Sequence, residues 1–86
     1  MNFNFPRAKF ADSNTIEDQV LHIVSESIEA ANESDPELQA MEIMDCLHSC
    51  ETALRILEEQ HGIGLDSIIA EVEHKNRVRG YYESYT

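Results

Sequence analysis

The sequence predicts an all-α chain: a short bundle of three main helices with an N-terminal arm and a C-terminal tail. Apolar residues recur at helical spacing in three successive segments, and capping or breaking residues bound each segment. Only three Gly and two Pro interrupt 86 residues that are 42% hydrophobic, too regular and too apolar for a disordered chain.

Residues 1–12 read as an irregular arm. Phe3, Phe5 and Phe10 alternate with polar residues around Pro6, and half of the chain's aromatics lie here. Such an arm is expected to pack its rings on its own domain or on a neighbouring subunit. The helical domain spans 13–80. Its first helix is predicted from Asn14 to Ala31, with Asn14 as cap and Glu17 completing a capping box. Ile16, Val20, Ile23, Val24, Ile28 and Ala31 form its apolar stripe. The run Asn32-Glu33-Ser34-Asp35-Pro36 breaks the pattern. Ser34 then caps a second helix that reaches Gln60, with Pro36 in its first turn and Glu37 as box partner. Its stripe is Ile43, Cys46, Leu47, Cys50, Leu54 and Leu57, and His61-Gly62-Ile63-Gly64 ends it. A third helix runs from Leu65 or Asp66 to Arg79, with Leu65, Ile68, Ile69 and Val72 on one face. Residues 81–86 form the tail.

Charge narrows the function classes. Seventeen Asp and Glu against six Lys and Arg leave a formal net charge of −11. A nucleic-acid binder needs a basic face to displace counterions, and an anionic membrane repels an acidic chain. No apolar run approaches the roughly 18 residues of a membrane span, and the N-terminus does not read as a signal peptide. Two Cys make no disulfide framework. A domain of this size buries only about 60–65% of its unfolded surface, so a cytoplasmic protein stabilised by self-association is the expectation.

The carboxylates carry the chemistry. Glu26 and Glu29 on the first helix and Glu42 and Asp45 on the second are each spaced i, i+3, which stacks both acids on one side of a helix. Like charges so spaced repel. Four of them converging from two antiparallel helices require a cation, and hard oxygen donors suit Mg²⁺ or Mn²⁺. A metal so held binds phosphate oxygens and activates water. The bland alternative is that 17 acids produce i, i+3 pairs by chance, since close acidic neighbours such as Glu33/Glu37 are common here.

Three of the six cations fall within five positions, Lys75, Arg77 and Arg79. Lys75, Asn76 and Arg79 prolong the stripe of Leu65, Ile69 and Val72. Cations at a helix C-terminus favour the macrodipole, and a phosphate clamp is the functional alternative.

With these residues in hand, the chain resembles the MazG-like, all-α nucleoside triphosphate pyrophosphohydrolases. The family pattern of ExxE and ExxD on successive helices reads here as Glu26-Ser27-Ile28-Glu29, twelve residues, then Glu42-Ile43-Met44-Asp45. The trailing Lys75-Asn76-Arg77-Val78-Arg79-Gly80-Tyr81-Tyr82 is similar to the family's basic segment after the third helix. The resemblance covers roughly residues 15–82. The commonest family form has a further acid before each motif, where this chain has Ser25 and Met41. The resemblance implies Mg²⁺-dependent cleavage of a nucleoside triphosphate between its α- and β-phosphates, giving the monophosphate and pyrophosphate. It implies Glu26, Glu29, Glu42 and Asp45 as metal ligands, with Glu26 or Glu29 also positioning the attacking water. Lys75, Asn76, Arg79 and Tyr82 would bind substrate. Subunits of such proteins pair to complete a four-helix bundle, as a dimer or tetramer. The phosphoribosyl-ATP branch of the superfamily shares the metal chemistry.

Other features rank lower. Cys46 and Cys50, i, i+4 on the apolar face, read as reduced core thiols. Asp45 and His48 form half of a di-iron pattern that lacks its counterpart on the first helix. His22, His61 and His74 read as surface residues. Tyr81 and Tyr82 are candidates for base stacking or for closing the bundle end. The rival from another class is a non-catalytic acidic bundle that binds a protein partner.

Overall fold

The computed structural model describes residues 1–83. It comprises α1 (Phe10–Ser13), α2 (Ile16–Asn32), α3 (Pro36–His61) and α4 (Leu65–Val78), and the described residues contain no strand. The all-α expectation holds, with one helix more than predicted. The arm is not wholly irregular, because α1 forms a single turn at its end. Ser84, Tyr85 and Thr86 of the predicted tail lie outside the described residues.

The predicted starts of the first two main helices shift by one residue each, while the third begins at Leu65 as expected. Thr15, not Asn14, caps α2 by accepting from the Asp18 amide at 3.1 Å. Asn14 instead donates its side-chain amide to Gln19 at 2.9 Å. Asp35, not Ser34, caps α3 by accepting from the Leu38 amide at 3.0 Å, with Pro36 at the first helical position. Each substitution exchanges one cap-competent residue for its neighbour. At the other end of α3, Gly62 adopts φ +67°, the left-handed region that glycine enters without a Cβ clash.

The short link between α2 and α3 folds them into an antiparallel pair, the main packing unit of the chain. Gln19 donates to the Ser49 carbonyl at 3.0 Å, and Gln39 donates to the Ala30 carbonyl at 3.2 Å, which fixes the register from one end to the other. The α2 residues turned inward are Gln19, Ile23, Glu26 and Ala30, at the 4-3-4 spacing of one helical face. This corrects the predicted stripe. Val20, Val24 and Ile28 lie about half exposed on the outside, while Glu26, which is not part of that stripe, enters the seam. A seam of small and hydrogen-bonded side chains lets the helices approach, and the bulky stripe stays outward.

The arm lies along α3. Glu51, only 4% exposed, accepts from the amides of Asn4 and Phe5 at 2.8–3.0 Å. Arg55 donates to the Phe5 carbonyl at 2.9 Å and lies 4.0 Å over the Phe3 ring. Phe5 in turn stacks on His48 at 4.6 Å. The expectation that the arm rings pack on their own domain holds for Phe3 and Phe5. Gln60 donates to the Ala11 carbonyl, and Ala11 is buried, so tertiary contacts sustain α1.

In contrast, α4 makes no extensive packing with any other helix. Leu65 anchors its first turn at 3% exposure, and Met1 closes an apolar groove of about 250 Å³ against Leu54, Ile68, Ile69 and Val72. The radius of gyration is 14.8 Å, against about 12 Å for a compact domain of this length. No helix among the described residues is long and apolar enough to cross a membrane.

Candidate functional site

One turn of α2 carries Glu26 and Glu29, and one turn of α3 carries Glu42 and Asp45. Glu26 is largely enclosed, its side chain 13% exposed. It accepts from the Ser49 hydroxyl across the seam and meets His22 Nε2 at 2.9 Å on its own helix, at i, i+4. Glu42 is half-buried. Burial raises its carboxyl pKa above the ordinary glutamate value; the charges of Glu29, Asp45 and Glu33 raise it further, and Glu29 is near enough for a carboxyl hydrogen bond. Glu29 and Asp45 are exposed.

The structure thus sets Glu29 and Asp45 beside Glu42, and Glu26 and Asp45 along one cleft. In kind, the donor set fits a hard divalent cation: oxygen ligands, with like charges raising proton affinity where a cation would relieve them. Among the described residues no three His, Cys, Asp or Glu side chains are already grouped to hold a metal ion. Coordination would require these carboxylates to turn toward a shared ion.

The cleft beside Glu26 has a volume of about 180 Å³, with Ala8 and Phe10 of the arm and α1 on one side and His22, Glu26, Asp45 and His48 on the other. His48 lines the cleft, and its Nε2 is buried without a hydrogen-bond partner among the described residues. The sequence offers His48 only as half of an incomplete di-iron pattern and His22 as a surface residue. Their spacings, His22 four before Glu26 and His48 three after Asp45, are the signals that place them on the same faces.

The basic end of α4 stands apart. Among the described residues no hydrogen bond or ion pair joins Lys75 or Arg79 to Glu26, Glu29, Glu42 or Asp45. Lys75 and Arg79 are exposed and Asn76 is half-buried. Arg77 lies 5.5 Å over the ring of Tyr82, and both line a shallow hollow with Glu73, Tyr81 and Glu83. Gly80, at φ +75°, turns the chain out of the helix as Tyr81 donates to the Asn76 carbonyl at 3.0 Å.

Cys46 and Cys50 are unbridged and half-buried. Burial pushes the Cys50 thiol up, with Cys46 and Glu26 adding to the shift, so it is a poor nucleophile. His61 and His74 are exposed, as expected. No family model, curated protein or solved structure matches this chain.

Proposed function

We propose that this protein is a divalent-metal-dependent nucleotide pyrophosphohydrolase, cleaving a nucleoside triphosphate between its α- and β-phosphates. The observation that carries the reading is the gathering of acids at the α2–α3 seam: Glu26 enclosed, and Glu42 half-buried beside Glu29 and Asp45. Surface acids placed by chance would spread apart to reduce repulsion. Glu26, Glu29, Glu42 and Asp45 would hold Mg²⁺ or Mn²⁺, which when bound polarises phosphate oxygens. Glu26 or Glu29 accepts a proton from the attacking water. Lys75 and Arg79 neutralise phosphate charge, Asn76 orients the nucleotide, and Tyr82 lies beside them at the same end of α4.

Self-association belongs to this reading. Ile56 is the one large side chain fully buried among the described residues, while Val20, Val24 and Ile28 of α2 and Ile43, Met44 and Leu47 of α3 stay substantially exposed. Two copies joined through these faces would complete a four-helix bundle, as a dimer or as half of a tetramer. Because α4 stands off from α2 within one chain, its cations would meet the acids in that assembly.

Incubation with a panel of NTPs and dNTPs plus Mg²⁺ tests the proposal. Release of pyrophosphate and the monophosphate is expected. Absence of cleavage across the panel would favour the acidic bundle that docks a protein partner through the same exposed stripe.

A further inference from the structure

We propose that α4 is a second self-association surface, on which two copies of this chain pair their α4 helices antiparallel about a twofold axis and cover each other's α3–α4 groove. The contact is separate from the outward stripe of α2 and α3, and it holds whether or not the acids bind a metal.

The helix is short of partners within its own chain. A helix of fourteen residues is marginal in water unless tertiary packing buries its apolar face, and α4 packs extensively on no other helix. Leu65 is its one buried residue. Ile68, Ile69 and Val72 each stay about 40% exposed and form one wall of the apolar groove of about 250 Å³ against Leu54 and Met1.

Charge selects a second copy as the occupant. Residues 65–79 hold three acids and three of the chain's six cations, so this stretch is neutral in a chain of net charge −11. Two copies meet here without the like-charge repulsion that opposes contact elsewhere. The charges are also ordered, with Asp66, Glu71 and Glu73 first and Lys75, Arg77 and Arg79 last. A parallel pair would set acid on acid. An antiparallel pair sets each acidic half on the partner's basic half and opposes the two macrodipoles. Asp66 and Arg77, both exposed, stand about three turns apart on the same flank of the apolar stripe. A twofold axis near Val72 therefore brings each Asp66 beside the partner's Arg77, and the contact repeats itself as an isologous interface requires. Combined with pairing through α2 and α3, it closes a tetramer of two unlike interfaces.

Light scattering of the whole chain at micromolar concentration tests the assignment, with thermal unfolding to show that each variant is folded. The wild type should be a tetramer. Ile69→Glu should halve its mass by opening the α4 contact, and Val24→Glu should halve it by opening the other. A folded Ile69→Glu of unchanged mass would overturn the α4 interface and leave the α2–α3 pairing intact. A Val24→Glu that falls directly to monomer would overturn it as well, and so would a monomeric wild type. Cysteine cross-linking reads the same contact without disturbing charge. Under mild oxidation Val72→Cys, near the axis, should form a disulfide-linked dimer on a non-reducing gel. Ser67→Cys, on the opposite face of α4, and the wild type with its own Cys46 and Cys50 should not. Equal cross-linking of all three, or none by Val72→Cys, would overturn the antiparallel pair. Activity is a separate readout: loss of the α4 interface with triphosphate cleavage retained leaves the pyrophosphohydrolase reading standing.

Discussion

The Ser49 hydroxyl on α3 donates to the Glu26 carboxylate on α2, joining the two long helices across their seam. The bond holds a carboxylate in a seam that apolar packing alone would exclude. Removing the donor leaves a largely buried charge with only His22 beside it. Ser49→Ala should therefore destabilise the metal-free protein by about 1.5–3 kcal/mol, the range for hydrogen bonds to charged groups. Urea unfolding with EDTA measures it. A double-mutant cycle with Glu26→Gln should show coupling between the two positions.

Glu42 sets a pH dependence. It holds its proton more tightly in the folded chain than in the unfolded one, so folding takes up a proton. Stability should fall as pH rises from the ordinary glutamate value of 4.5 through the raised folded value, then level off. Glu42→Gln should flatten that slope. Mg²⁺ should raise the Tm of the wild type with site occupancy, and Glu29→Gln should abolish the increment while leaving metal-free stability unchanged or higher. Melting curves across pH, with and without Mg²⁺, check all three. Identical responses of wild type and Glu29→Gln would mean that the acids hold no metal.

Glu51 works in the opposite direction. Burial would raise its carboxyl, but the amides of Asn4 and Phe5 outweigh burial and, with Arg55, hold it below the ordinary range. Its contribution is present above 4.5 and is lost as pH falls through the lowered folded value. In acid the arm should lift from α3, and Glu51→Gln should release it near neutral pH. Chemical shifts of the Phe5 ring and the His48 imidazole report the change.

The two readings of the α4 cations make different forecasts. As phosphate clamps, Arg79→Gln should lower kcat/KM by ~10²-fold, roughly 2.7 kcal/mol of transition-state stabilisation. Arg77, engaged with the Tyr82 ring, should tolerate Gln with little effect on turnover. If the cations serve only the helix macrodipole, either change costs a few tenths to about 1 kcal/mol of stability and no activity. Steady-state kinetics on folded variants separates the cases.

Assembly can be tested on the outward stripe. The wild type should scatter light as a dimer or tetramer at micromolar concentration. Val24→Glu, placing a charge on the exposed α2 face, should shift it toward the monomer. A wild type of about 10 kDa under the same conditions would remove the four-helix bundle from the proposal.

How much of this was legible differs by level. The three long helices are written in apolar periodicity and in breakers such as Gly62, which act locally. The turn α1 is not, because four residues cannot hold a helix without Ala11 buried and Gln60 on its carbonyl. The inward face of α2 was misread for a physical reason. Periodicity identifies the apolar stripe, whereas this seam is built on Gln19 and Glu26, whose burial depends on partners thirty and twenty-three residues away. For the candidate site, the sequence places Glu26 and Glu29 on α2 and Glu42 and Asp45 on α3, but spacing alone does not tell that Glu26 and Glu42 are half-buried while Glu29 and Asp45 are exposed. The stack of Phe5 on His48 spans the gap from arm to α3, and no local pattern encodes it.

The fastening of the arm also bears on the order of folding. The α2–α3 hairpin closes through a short link, so its contacts form at low loop-closure cost. The arm's bonds to Glu51 and Arg55, and that of the Arg7 guanidinium to Glu59, join residues 46 to 52 positions apart. They can form only after α3 exists as a surface to receive them. The arm is therefore the last segment to dock and the first to open, and native-state hydrogen exchange should find the Asn4 and Phe5 amides less protected than those in the middle of α3.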